Sequence, residues 1–157
     1  MNDTKYIGQL GEKVAKVHYQ KLGYEFIDSN FRLKIGEIDL IFYHRQSNTL
    51  IAIEVKAKKC HPGMFLTANG SGRGHETYKL EDKIDTLKLS KIRRCLNVFV
   101  DRNSTYKESN LRVDVMMVYF EMPDSMTRAV SIRNREDDST LRILPQKITF
   151  KRIENVI

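Results

Sequence analysis

The chain has 157 residues, 41% of them hydrophobic, a size at which about 68–70% of the unfolded surface is buried on folding. We expect one domain over residues 1–157. Two cysteines, Cys60 and Cys95, make no Cys-x-x-Cys pair and no disulfide framework, which favours a reducing cytoplasm. Cys60-His61 has no second pair at zinc spacing, and no stretch approaches the roughly 20 apolar residues of a membrane helix. Zinc and a membrane are therefore not expected.

The formal net charge of +7 is unevenly distributed. Lys and Arg outnumber Asp and Glu by 12 to 7 over residues 51–110, but only by 7 to 6 before this region and by 8 to 7 after it. A localised basic region favours a polyanionic partner such as nucleic acid, although many basic proteins bind none.

Residues 5–22 have the apolar spacing of a helix, with Ile7, Leu10, Val14 and Val17 on one side and Gly23 as its stop. Small residues at positions 8, 11 and 15 form another stripe, which lets a neighbouring backbone approach closely. Glu12 lies beside this stripe. It is either a solvated carboxylate or a group pointed along that contact.

Three strands are predicted next, over residues 24–32, 37–45 and 50–59. In the third strand, Glu54 and Lys56 share one face while the apolar residues line the other. If Arg45 and Leu50 close the hairpin, Asp39 lies opposite Lys56 and diagonal to Glu54, with backbones about 7 to 8 Å apart.

The second half of the chain contains one more helix and further strands. Residues 60–77 are expected to form a long loop, and residues 80–100 a helix with Ile84, Leu87, Ile92, Leu96 and Phe99 on its apolar side. A buried strand is predicted at 110–120, a partner strand near residue 131, a polar linker at 135–140 and strand character again after Pro145. The order of elements predicts an α/β fold with a mixed central sheet flanked by helices.

Asp39, Glu54 and Lys56 form the chemically distinctive group. Two carboxylates drawn together repel each other unless a cation lies between them, and Mg²⁺ or Mn²⁺ accepts such oxygen ligands. A lysine beside them stabilises charge on a phosphate. The competing interpretation is a salt bridge between Lys56 and one carboxylate on a half-exposed sheet, and these residues alone do not decide between the two.

Asp39, fourteen intervening residues and Glu54-Val55-Lys56 resemble the core of the PD-(D/E)xK nuclease superfamily. A wider match resembles the YraN family, whose members look like distant relatives of Holliday-junction resolvases. The match covers Gly8-x-x-Gly11-Glu12-x-x-Ala15, Gly23-Tyr24, Asn30, Gly36-Glu37-Ile38-Asp39-Leu40-Ile41, Glu54-Val55-Lys56, Lys91, Arg112-x-Asp114-Val115 and Asn155.

The resemblance implies a restriction-endonuclease-like fold with an α-β-β-β-α-β core. It implies that Asp39, Glu54 and the Val55 carbonyl bind Mg²⁺ or Mn²⁺, that Lys56 is the catalytic lysine and that Glu12 approaches the metal site. It also implies that Lys91 contacts phosphate, and a homodimer follows by analogy with junction resolvases. Glu37 and Asp114 are given supporting roles.

The sequence departs from the family pattern in three places. Ile38 stands where the superfamily has proline, Lys58 stands where arginine is typical, and the 60–77 loop and the 122–145 segment look longer. Lys58 keeps the charge but loses a bidentate phosphate contact.

The leading hypothesis is a metal-dependent endonuclease that hydrolyses DNA, including branched or structured DNA. The residues expected to contact the nucleic acid are Lys58, Lys59, Lys88, Lys91 and Arg94. The rival is a non-catalytic nucleic-acid-binding protein that keeps the nuclease fold. A structural protein with a salt-bridged sheet is a third interpretation, but it leaves the localised basic region unexplained.

Overall fold

The computed structural model describes residues 3–60, 85–121 and 147–155. Helix α1 spans Asp3–Lys21 and is followed by strands β1 (Glu25–Leu33), β2 (Gly36–His44) and β3 (Thr49–Cys60). Helix α2 spans Thr86–Arg102, and strands β4 (Asn110–Glu121) and β5 (Lys147–Ile153) follow it. A short 3-10 turn, Ser104–Tyr106, lies between α2 and β4.

The strands form one mixed sheet in the order β1-β2-β3-β4-β5. Neighbouring strands are antiparallel except β3 and β4, which run parallel over their whole length. Because parallel neighbours need a crossover, the chain leaves the sheet between them and forms α2. The result is an α/β fold with the α-β-β-β-α-β order of the restriction-endonuclease-like architecture, as the sequence predicted.

The two helices cover opposite faces of the sheet. On one face α1 packs over apolar residues of β2, β3 and β4 that include Leu40, Ile51 and Met116. On the other face α2 packs over alternate residues that include Ala52 and Val115. The central strands are apolar on both sides because both faces are covered.

The buried side of α1 agrees with the prediction at Ile7 and in part at Leu10 and Val14, but not at Val17. Ile7, Gly11, Ala15 and Tyr19, spaced four apart, face the sheet, whereas Val17 is 50% exposed. The predicted stripe of small residues is therefore part of the packing face, at Gly11 and Ala15. The helix ends before Gly23, whose φ of +85° suits glycine and gives the expected stop.

Helix α2 buries Leu89, Ile92, Cys95, Leu96 and Phe99, together with Val100. The prediction was right for three of these, but Leu87 is 73% exposed, because it lies roughly 200° around the helix from Leu89. Asp85 caps the helix by accepting a hydrogen bond from the Leu87 N–H.

Helix α2 begins at Thr86, later than the predicted start at residue 80. Some predictions fall outside the described residues: the 60–77 loop beyond Cys60, residues 80–84 of the predicted helix, the strand near residue 131 and the polar linker. In the described part, β4 pairs with β3 on one side and, over residues 115–121, with β5 on the other. The position beside β4 that was predicted for the strand near residue 131 is therefore taken by β5. No helix among the described residues is long and apolar enough to cross a membrane.

Candidate functional site

Asp39 lies where β2 and β3 separate. The last paired residues of the two strands are Leu40 and Ile53, and Asp39 is one position further along. Its Oδ2 accepts a hydrogen bond of 2.7 Å from the Val55 N–H. The side chain thus takes the place of a strand carbonyl and fixes one carboxylate oxygen against β3.

The alternation of side chains along β2 breaks at this point. Ile38 packs on the α2 side of the sheet and Leu40 on the α1 side, although residues two apart in a regular strand share a face. Asp39 lies within this irregularity. Its carboxylate can therefore approach β3 just beyond the last paired residues of β2 and β3.

The predicted register of the hairpin was wrong by two residues. His44 pairs with Thr49 and Tyr43 with Leu50, so the turn lies one position earlier than expected. Continuing this register by one pair brings Asp39 level with Glu54, whereas the prediction placed it opposite Lys56. A shift of two residues keeps the same faces, which is why Asp39 and Glu54 still meet.

Glu54 is almost fully buried, at 2% exposure, and lies on the α2 side of the sheet. Its Oε1 accepts ion-pair contacts from the Lys56 Nζ at 2.7 Å and the Lys88 Nζ at 2.6 Å. Its Oε2 is buried and has no hydrogen-bond partner among the described residues. One oxygen of this carboxylate therefore contacts two ammonium groups, and the other has no partner in the part of the chain that the structure describes.

The electrostatics of the pair follow from burial and like charge. Burial and the neighbouring Glu54 raise the pKa of Asp39 to about 7, against the opposing effects of the Val55 N–H and Lys88. Glu12 adds a smaller upward effect. Burial disfavours the charged form of Lys88, but the hydrogen bond and charge of Glu54 outweigh it and raise the pKa of Lys88.

Glu12 reaches this region from the opposite face of the sheet. A Cβ added to Gly11 would lie 2.5 Å from the Ala57 Cβ, so glycine is what allows α1 to approach β3 this closely. Glu12 then accepts a hydrogen bond from Asn30 at 3.4 Å. Asn30 itself has a φ of +55°, a conformation that asparagine adopts more readily than most residues. The added Cβ at Gly8 meets nothing, so that glycine takes no part in the close approach.

The donor set fits a hard divalent cation. Asp39 and Glu54 supply carboxylate oxygens, one of them buried without a partner among the described residues, and a cation would offset the burial and the repulsion by Glu54 that raise the pKa of Asp39. Among the described residues no group of three or more His, Cys, Asp or Glu is placed to hold a metal. A cation here would therefore rely on two carboxylates, with backbone, water or substrate oxygens completing its shell. The Val55 carbonyl as a ligand stays a prediction.

The structure divides the predicted nucleic-acid contacts. Lys88 is held in the site by Glu54, and Lys91 lines an adjacent cleft of about 460 Å³. Arg94 is exposed but does not line the cleft. Residues three apart on an α-helix are not in line, so the row of Lys88, Lys91 and Arg94 turns away from the cleft. Lys58 is half-buried and Lys59 exposed, both on β3 beyond Lys56.

A second buried polar cluster lies on the α1 side of the sheet. Asp114 is fully buried and its Oδ2 accepts hydrogen bonds from the Tyr19 hydroxyl and Arg112, both at 2.9 Å. Its Oδ1 accepts one from the Asn155 N–H at 3.0 Å. Burial and Asp114 raise the pKa of Tyr19. The cluster joins α1, β4 and the end of the described chain.

Sequence reasoning missed several of these contacts. It assigned Lys88 to DNA and did not connect it with Glu54, and it did not single out Arg32 or Lys34, which line the same cleft as Lys91. Glu37 forms an exposed ion pair with Arg32 at 3.2 Å. The local signal for Lys34 was its position two residues before Gly36, in the turn between β1 and β2 that α2 approaches.

Comparison with known proteins identifies the family. Residues 11–118 match the model of the uncharacterised protein family UPF0102. The chain is 32% identical over 125 residues to a UPF0102 protein of Caldanaerobacter subterraneus subsp. tengcongensis, covering 80% of this chain and 88% of the relative. A UPF0102 protein of Desulforamulus reducens is 29% identical over 83% of this chain and 94% of its own length. A shorter match of 55 residues to a Vibrio campbellii relative reaches 46%, over 35% of this chain and 43% of that protein.

The chain belongs to the UPF0102 family, the YraN family that the sequence motifs had indicated. The names of these relatives describe no activity, so function has to be argued from the site.

Proposed function

We propose that the protein is a Mg²⁺- or Mn²⁺-dependent endonuclease that hydrolyses phosphodiester bonds of DNA, including branched or structured DNA. The observation that carries this proposal is the pair Asp39 and Glu54, with two lysines beside Glu54 and a buried Glu54 oxygen that has no hydrogen-bond partner in the described part of the chain. A buried carboxylate kept incompletely bonded costs folding free energy, and such costs concentrate at functional sites.

Asp39 and Glu54 would hold the cation, with the Val55 carbonyl as an expected further ligand. When bound, the cation would supply an activated water and neutralise charge on the phosphate. Lys56 holds a fixed positive charge next to Glu54, suited to stabilise negative charge that develops on the phosphate. Glu12 holds a further carboxylate near Asp39, oriented by Asn30.

The test uses purified protein with linear, flapped and four-way DNA in Mg²⁺, Mn²⁺ or EDTA. Wild type should cut at least one substrate with a divalent cation and none in EDTA. Asp39→Asn and Glu54→Gln should lose cutting, because each keeps the side-chain size but removes a charge that the cation requires. Their DNA binding should persist or strengthen, since a carboxylate facing phosphate is removed.

The same variants also reveal cutting by a contaminating nuclease. Equal residual cutting by wild type and Asp39→Asn would identify a contaminating nuclease and would overturn the catalytic assignment. Size-exclusion chromatography with light scattering would test the homodimer that the analogy with junction resolvases proposes.

One observation favours a non-catalytic nucleic-acid-binding protein instead. Lys56 and Lys88 already compensate the charge of Glu54 without any metal. On this alternative, the basic residues bind DNA and no form of the protein cuts it. If about five phosphates are neutralised, log K should fall against log salt with a slope of roughly −4 to −5 under either function. Tight binding without cutting on every DNA would select the alternative.

A further inference from the structure

A cleft of about 460 Å³ opens between the β1–β2 turn and the first turns of α2. The cleft adjoins the site formed by Asp39 and Glu54, because Lys88 lines the cleft and its Nζ also contacts the Glu54 Oε1 at 2.6 Å. The two walls are closely packed at Gly36, where an added Cβ would lie 3.2 Å from the Lys91 Cβ. The shape of the cleft is thus fixed by packing.

The charges of the cleft are unequally compensated. Arg32 pairs with Glu37, and Asp85 caps α2. Lys34 and Lys91 are exposed on opposite walls, and neither has an ion pair or side-chain hydrogen bond with the described residues. Two ammonium groups that line one cleft and have no ion pair among the described residues attract an anion such as a phosphate.

The cleft also contains apolar surface. Leu33, Ile35 and Ile92 line it, and Ile35 is 41% exposed. Its volume lies in the range of about 300–1,000 Å³ that small organic ligands occupy, which is too small for a duplex. A nucleotide removed from the base stack offers the matching chemistry: a phosphate for the lysines and a flat base face for the aliphatic side chains.

We infer that this cleft binds one unpaired nucleotide of the DNA strand, next to the phosphate that the Asp39–Glu54 site would receive. Lys34 and Lys91 contact its phosphate and Ile35 contacts its base. The inference rests on the proposed function and narrows its substrate to DNA in which paired and unpaired segments meet.

The experiment measures fluorescence anisotropy of labelled DNA in EDTA, so that no cutting interferes. A blunt duplex is compared with the same duplex carrying a 5′ or a 3′ single-stranded overhang, over a range of salt concentrations. Wild type should bind an overhang duplex more tightly than the blunt one. Loss of one single-strand phosphate contact in Lys34→Ala should lower the salt slope by about 0.7, which is about fivefold in affinity at 0.1 M salt.

Ile35→Ser should weaken overhang binding without changing the salt slope, because it removes an apolar contact and no charge. Lys107→Ala and Val17→Ser are the matched controls, exposed positions that do not line the cleft, and they should bind like wild type. Thermal melting of each variant checks that folding is intact; Lys34 and Ile35 lie in an exposed turn, where substitution leaves the core unchanged.

Losses of equal size on blunt and overhang duplexes, or no loss in either cleft variant, would overturn the inference. Overhang-selective binding that depends on Lys34 and Ile35 in a protein that cuts no DNA would support the inference while the proposed nuclease fails. If cutting depends on Asp39 but substitution of Lys34 and Ile35 leaves binding unchanged, the proposed nuclease function would be supported and the inference about the cleft would be wrong.

Discussion

Two buried acidic groups on opposite faces of the same sheet differ in how completely their oxygens are hydrogen-bonded. Asp114 has hydrogen bonds at both oxygens, from Tyr19, Arg112 and the Asn155 backbone. Glu54 receives two lysines at one oxygen and has no partner among the described residues at the other. Full bonding is what a stability role requires, whereas an incompletely bonded group costs stability and is typical of a site kept open for a ligand.

Removing each acid from the metal-free protein should make this contrast measurable. Asp114→Ala should lower the free energy of unfolding by about 3–5 kcal/mol, because it removes the acceptor of the buried Tyr19 hydroxyl and leaves the partly buried Arg112 with Glu154, at 3.3 Å, as its remaining carboxylate partner. Asp39→Asn should be neutral or stabilising, since it removes one of two repelling carboxylates. Urea unfolding in EDTA measures both. If Asp39→Asn lowered the free energy of unfolding as much as Asp114→Ala does, the two acidic regions would not differ in their contribution to stability.

The proposed DNA cleavage should depend on Lys56 and Lys88, the two lysines that contact Glu54. Lys56→Ala should reduce the cleavage rate by about 10² to 10³, the range measured when one preorganised charge or donor is lost. Lys88 contacts the same Glu54 oxygen at a similar distance, so Lys88→Ala should also be slower. Because the two share one oxygen, the double variant should lose less than the product of the single factors.

Single-turnover rates at saturating protein would provide these factors, with Lys107→Ala as the control. Independent, multiplicative losses would mean that the two ammonium groups do not act through Glu54 together.

Stability should depend on pH through Asp39. Its folded pKa of about 7 exceeds the ordinary value of 3.8, so between these values the folded state binds the extra proton. Stability of the metal-free protein should therefore fall as pH rises from about 4 to 7, at no more than about 1.4 kcal/mol per pH unit, and then stay level. Melting curves of wild type and Asp39→Asn would check this. A decline of the same size in Asp39→Asn would assign it to other groups.

The exposed ion pair should matter least. Arg32 and Glu37 are 71% and 47% exposed, so Glu37→Ala should change the unfolding free energy by less than about 1 kcal/mol. The same unfolding assay at low and high salt measures the change. A larger loss would show that Glu37 supports the turn through contacts other than this pair.

Much of the fold was predictable because periodicity is a local property. The alternation in β3 placed Glu54 and Lys56 on one face, and Gly23 correctly predicted where α1 ends. The wider set of motifs, from Gly8 to Asn155, indicated the family without any coordinates, whereas the pattern of Asp39 and Glu54-Val55-Lys56 indicated the superfamily alone. The first two features depend on neighbours within a few positions, where sterics and hydrogen bonding act directly.

The tertiary structure decided what depends on how elements dock. The hairpin register differed by two residues, and Lys88 reaches Glu54 from a helix 34 positions later in the chain. The joining of Tyr19 with Asp114 spans 95 positions. Such contacts depend on the close approach of α1 to Ala57 at Gly11 and of α2 to the turn at Gly36, which packing fixes and local patterns do not encode.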